Sequence, residues 1–236
     1  MTNPKTEEFK ALYATLETKI RKKYNLYDMR ESPIYFLAGT KDFYKTGEEL
    51  YLCADIRNHF AHNPPNEKYR IEIPDACFDL LKDTIEKVDR ILGVMDIAIK
   101  RRNISYCTLE DSVRKAMVNM EEKHYTHIPI LKNDVVFGVF SENTLLSYLI
   151  DDEVIGIDSE TKFSDPLLMR YLPIEKHRSE KFDFISKDAY LPEINKKFEQ
   201  AFSVNDRLGL LFVTENGLKT EKMLGIITAW DIAGLV

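Results

Sequence analysis

Apolar residues recur at helical spacing along the first hundred residues, and thereafter alternate between strand-like runs and helical stripes. Phe9, Leu12, Tyr13, Leu16 and Ile20 line up behind an acidic start at Glu7 and Glu8, which predicts an amphipathic helix. Phe78, Leu81, Ile85, Val88 and Leu92 form a second stripe after Pro74. Between them, Ser32 to Tyr44 predicts a shorter helix with Pro33 at its first position. Thr46 and Glu49 have capping-box spacing, so a further helix is expected to start there and run through Leu50, Leu52, Cys53 and Ile56 until Asn63-Pro64-Pro65 stops it. Residues 1–100 are read as an all-α helical bundle.

The second half reads as α/β. Ile104 to Cys107 is strand-like, and Thr108 with Asp111 is placed to cap a helix through Val113, Met117 and Met120. His127 to Leu131 and Val135 to Phe140 then read as strands. A similar unit follows: Phe182 to Ile185 as strand, a helix through Ile194, Phe198 and Phe202, and strands over Leu208 to Thr214 and Met223 to Thr228. Two heptapeptides, Gly138-Val139-Phe140-Ser141-Glu142-Asn143-Thr144 and Gly225-Ile226-Ile227-Thr228-Ala229-Trp230-Asp231, share one design of glycine, apolar strand end, hydroxyl and helix start. The second domain is therefore set at 101–236, with repeats over about 102–151 and 182–236. The connection, rich in charge and containing Pro166 and Pro173, reads either as an added helix and loop or as a long linker.

Charge narrows the function classes. A net charge of -6 argues against a surface coated for nucleic acid, so any RNA site is local. Lys68, Arg70 and the run Lys100-Arg101-Arg102 are the candidates, the plainer reading of the run being a solvated linker. No apolar run approaches the length of a membrane span and the polar start MTNPKTEEFK lacks a secretory core, so a cytoplasmic protein without a membrane partner is expected. Cys53, Cys77 and Cys107 leave an odd count, which fits reduced thiols used as small core residues. The pairs His59/His62 and His124/His127 each lack a third ligand nearby in sequence, so no metal site is assigned.

The candidate chemistry sits at two places. Arg57, Asn58 and His62 fall in the last turns of the third predicted helix. A permanently charged guanidinium suits a phosphate and an imidazole suits proton transfer, whereas the structural reading is a cation and a cap at a helix C-terminus. On an ideal helix Asn58 and His62 share a face, while Arg57 lies about 140° round from His62, so fraying of the last turn is expected to help them meet. Arg57-Asn58, three residues, then His62, in a helical domain of this length, resembles the signature of HEPN domains. That resemblance implies a metal-independent ribonuclease acting as a homodimer, with Arg57, Asn58 and His62 catalytic. The 2′-hydroxyl would be the nucleophile and a 2′,3′-cyclic phosphate the product.

The doubled unit of residues 102–236 resembles a pair of CBS domains, also called a Bateman module. Gly225 to Asp231 is similar to the family's ribose and phosphate motif, and Ile128-Pro129-Ile130 to its Pro-containing strand. The resemblance implies an adenosine-containing regulatory ligand such as AMP, ADP, ATP or S-adenosylmethionine, bound through Thr228, Asp231 and Ser141. Thr228 and Asp231 are equally a capping box, and the two roles are compatible. Thr144 stands where the family has Asp, so one ligand is expected rather than two. Leu210-Leu211-Phe212 replaces the Pro-containing strand of the second repeat. Two functions stay open: a HEPN-type ribonuclease controlled by an adenine nucleotide, or a non-enzymatic nucleotide sensor whose helical domain serves dimerisation or partner docking.

Overall fold

The computed structural model describes residues 4–62, 72–151, 156–204 and 206–235. Asn63-Pro64-Pro65, Lys68 and Arg70 lie outside them. The chain forms two compact units, Met1–Ile91 and Leu92–Val236.

The first unit is helical. It contains α1 (Pro4–Lys23), α2 (Pro33–Ala38), α3 (Gly47–His62) and α4 (Asp75–Asp89). The stripe Phe9, Tyr13, Leu16, Ile20 is fully buried against Ile34, Leu37, Leu50, Cys53, Leu81 and Val88, with Phe9 meeting Phe78 edge-on at 5.9 Å. At α2 the Ser32 hydroxyl accepts from the Ile34 amide and Pro33 opens the helix, as the sequence predicts. The helix stops earlier than expected, at Ala38, and a 3-10 turn over Tyr44–Thr46 leads into α3. Thr46 does not act as the expected cap; its hydroxyl donates back to the Phe43 carbonyl at 3.2 Å.

The second unit contains α5 (Val94–Ile97), β1 (Ile99–Lys100), α6 (Val113–Lys123), β2 (His127–Lys132), β3 (Val135–Ser141), α7 (Glu142–Asp151), β4 (Lys181–Ser186), α8 (Leu191–Ser203), β5 (Leu208–Thr214), β6 (Gly225–Ile227) and α9 (Ala229–Ala233). β4 runs parallel to β5, and β6 and then β1 add antiparallel, giving the order β1-β6-β5-β4. β2 and β3 form a separate antiparallel pair, which Cys107 joins by a single parallel bridge to Ile130. Ile104 to Cys107 is therefore not the strand the sequence predicts. The strand lies earlier, at Ile99–Lys100, where it pairs with β6.

That pairing also moves the domain boundary. Residues 92–100, assigned by periodicity to the bundle, belong to the α/β unit: Val94 and Ala98 are buried with Ile185, Ile194, Leu211 and Ile227. Thr108 and Asp111 likewise close a turn, the Thr108 amide reaching Asp111 Oδ2 at 2.6 Å, while Ser112 is the residue before α6. Over its described residues the connection between repeats is neither a linker nor an added α-helix. Phe163, Leu168 and Leu172 are buried beside Val113, Ile128 and Phe140, with 3-10 turns at Leu168–Arg170 and Ile174–Lys176.

Two glycines mark equivalent points of the repeats. At Gly138, where β3 runs beneath the connection, a Cβ would lie 2.1 Å from the Leu172 carbonyl oxygen, and the Val139 amide donates to that same oxygen at 2.8 Å. At Gly225 a Cβ would lie 2.8 Å from the Ile99 carbonyl oxygen. In each repeat the glycine admits a close approach of another backbone segment, the connection at Gly138 and the paired strand β1 at Gly225.

Candidate functional site

The end of β6 presents Thr228 and Asp231, both half-buried. Asp231 Oδ2 accepts from the Thr228 amide and from the Thr228 hydroxyl, each at 2.7 Å. This fixes the carboxylate at the start of α9 and leaves Oδ1 without a hydrogen bond from a described residue, so it can still accept from a ligand hydroxyl.

The end of β3 is built on the same plan with different chemistry. Ser141 and Thr144 cap α7 reciprocally: the Ser141 amide donates to Thr144 Oγ1 at 3.0 Å and the Thr144 amide to Ser141 Oγ at 3.2 Å. Ser141, expected from the resemblance to contact the ligand, is only 1 % exposed. Its hydroxyl donates to Glu180 Oε1 at 2.6 Å. His127 Nε2 meets Glu180 Oε2 at 2.7 Å and His177 Nδ1 approaches Oε1 at 3.4 Å. Burial opposes ionisation of Glu180, but the hydrogen bonds from His127, His177 and Ser141 outweigh it and hold the carboxyl well below the usual carboxylate range. Glu180 was not singled out from sequence, because nothing local marks a charged residue that becomes buried only when β3, β4 and β2 assemble.

In the helical unit, α3 stays helical through His62. The expected fraying of the last turn is absent up to that residue, so Arg57 and His62 remain about 140° apart round the helix axis. Arg57 is half-buried, its guanidinium carbon 5.7 Å from the centre of the Tyr13 ring and Nη1 3.2 Å from Asn58 Oδ1. Asn58 in turn donates to the Tyr35 hydroxyl at 3.3 Å. Arg57 and Asn58 are thus brought together, whereas His62 is exposed and has no hydrogen bond or ion pair to a described residue.

Cys53 and Cys77 are buried core residues, and Cys107 is partly buried against the core of the α/β unit. Burial and the neighbouring Cys77 push the Cys53 thiol up to about 12, and burial pushes Cys107 up to about 11, so neither is a ready nucleophile. The histidine pair 124/127 is divided: His124 ends α6 in the left-handed conformation at φ 56°, and His127 serves Glu180. Among the described residues no group of three metal-ligating side chains is present. No helix among them is long and apolar enough to cross a membrane.

The basic run is folded into structure. Arg101 stacks 3.4 Å from the centre of the Tyr106 ring and lies 3.6 Å from Asp134, which also pairs with Lys222 at 3.2 Å. With Arg102 these residues line a cleft of about 540 Å³.

No curated protein sequence matches the chain. Among solved structures, a putative acetoin utilization protein (AcuB) from Vibrio cholerae is 19% identical over 61% of this chain and 90% of its own, with a TM-score of 0.44. The CBS domain pair of protein MJ0100, solved with 5-methylthioadenosine and S-adenosyl-L-methionine, is 16% identical over 61% and 95%, with a TM-score of 0.41. CBSX2, solved with AMP, is 16% identical over 61% and 94%, with a TM-score of 0.42. The family model of the CBS domain matches residues 94–151, the stretch from α5 through α7.

Proposed function

We propose that the α/β unit is a sensor of an adenosine-containing ligand, AMP, ADP, ATP or S-adenosylmethionine, held at Thr228 and Asp231. The observation that carries this reading is the CBS match over residues 94–151, joined to a second repeat whose Asp231 carboxylate is fixed and half-exposed at the strand end. Asp231 accepts from the ribose hydroxyls while Thr228 meets the phosphate side of the ligand. Calorimetric titration of the full chain with the four ligands tests it. At least one is expected to bind, and Asp231→Ala to weaken it at least tenfold in a protein that stays folded, losing about 0.5–2 kcal/mol with the cap. Absence of binding by any of the four removes the sensing role.

For the helical unit, the conjunction of Arg57, Asn58 and His62 on α3 favours a second reading, a metal-independent ribonuclease whose rate the ligand adjusts. Arg57 stabilises charge on the phosphorane and His62 transfers the proton. Because one chain holds the two side chains on different sides of α3, a homodimer in which His62 of one copy serves Arg57 of the other completes the site. Single-stranded RNA should then be cut in EDTA, and His62→Ala or Arg57→Ala should slow cleavage by about 10² to 10⁴. RNA left intact under every ligand condition assigns the helical unit to dimerisation or docking instead.

A further inference from the structure

The two repeats end in equivalent half-sites, but the first is already filled. In the second, the residue three after the hydroxyl is Asp231, whose carboxylate reaches back 2.7 Å to Thr228. In the first it is Thr144, which makes the same backward bond through a hydroxyl at 3.0 Å and brings no charge. A carboxylate nevertheless stands beside Ser141, delivered by Glu180 at the end of the connection, just before β4. We propose that Glu180 is an intramolecular ligand that closes the half-site of the first repeat, and that the pocket it fills is selective for a carboxylate.

The donor count supports this. The Ser141 hydroxyl donates to Oε1 at 2.6 Å and His127 Nε2 meets Oε2 at 2.7 Å, while His177 Nδ1 lies 3.4 Å from Oε1. None has a ready substitute. The other nitrogen of His127 is engaged with the Thr126 hydroxyl at 2.7 Å, and that of His177 faces the Leu172 carbonyl at 3.3 Å. Glu180 and His177 are buried, so removing the carboxylate leaves donors that water reaches poorly and an uncompensated buried site. The wall opposite is the backbone of β5, where a Cβ at Gly209 would come 3.1 Å from His127 Nε2 and 3.4 Å from Glu180 Oε2. A planar group with two acceptor oxygens fits between these walls; chloride offers neither the shape nor the second oxygen.

Chemical rescue tests the pocket in the full chain. Glu180→Ala should lower the melting temperature, and sodium acetate should raise it again in a saturable way, with sodium chloride at equal ionic strength giving no such recovery. The wild type and Glu180→Gln, whose pockets are filled, should show no acetate effect beyond that of chloride. An acetate response of Glu180→Ala no larger than that of the wild type overturns the proposal. Should Glu180→Ala fail to fold even in acetate, imidazole nitrogen NMR of the wild type decides: the proton of His127 is expected on Nε2, facing Glu180, and a bare Nε2 overturns it. The closure itself rests on the nucleotide reading above and is read by calorimetry. One ligand per wild-type chain is expected for whichever of AMP, ADP, ATP and S-adenosylmethionine binds, and two overturn it. Failure of all four to bind counts against the nucleotide reading, while the acetate result still judges the pocket.

Discussion

Glu180 and the two repeat glycines show how single residues matter here through what crosses them. Glu180 carries a pH dependence whose sign follows from its depressed folded-state value. Its contribution is complete above the ordinary value near 4.5 and is lost as pH falls below that, because the unfolded chain then binds the proton the folded chain refuses. The melting-temperature difference between the wild type and Glu180→Gln should therefore shrink between about pH 5 and pH 3, which thermal scans across that window would check. Gly138 and Gly225 differ in how little room they leave. Gly138→Ala drives a methyl to 2.1 Å from a backbone oxygen, against 2.8 Å for Gly225→Ala, so the first should be the more damaging. Overpacking of this kind typically costs about 1–3 kcal/mol, and the clash at Gly138 places it at or beyond the upper end. Denaturant unfolding of both variants gives the order directly.

Among the elements, the connection between repeats departs most from expectation. Its charges and prolines read as an added helix and loop or as a long linker, yet Phe163 is fully buried and meets Phe140 edge-on at 5.1 Å. The backbone is committed as well, the Val113 amide donating to the Thr161 carbonyl at 3.0 Å. Phe163→Ala should cost about 3–5 kcal/mol, as for other buried phenylalanines. A tether would be indifferent to the change, so an unaltered denaturation midpoint would show that the segment is not part of the core. Among the helices, α8 was the plainest from sequence, because Ile194 and Phe198 recur at helical spacing and pack toward the sheet. α3 starts where the sequence places it, at Gly47 just after Thr46, but a 3-10 turn over Tyr44–Thr46 rather than the expected capping box leads into it.

At the scale of the whole molecule, each of the two compact units buries hydrophobic clusters of its own, which predicts two separable folding units. Residues 1–91 and 92–236, produced apart, should each unfold cooperatively in calorimetry. The cut matters. A fragment beginning at residue 101, where the sequence places the boundary, loses β1 and the fully buried Val94. It should be less stable than 92–236 by at least the roughly 1.5–3 kcal/mol that burying one such side chain is worth. Equal stability of the two fragments would mean that residues 92–100 are not structural members of the α/β unit.

The periodicity of the chain by itself determined the class of each half, the helical stripes of α1 and α4, the order of most strands and the doubled design around Gly138 and Gly225. Those features depend on neighbours within a few residues, where side-chain spacing and backbone preference act directly. It also placed Arg57 beside Asn58 and Thr228 beside Asp231, because capping and helical proximity are local. What it left open depends on segments far apart in sequence. The pairing of Ile99 with Ile226, the burial of the connection and the meeting of Glu180 with Ser141, His127 and His177 arise only when strands come together. Only tertiary structure decided that Ser141 is sealed while Asp231 stays half-exposed, since solvent access is set by what packs across a side chain and not by its neighbours along the chain.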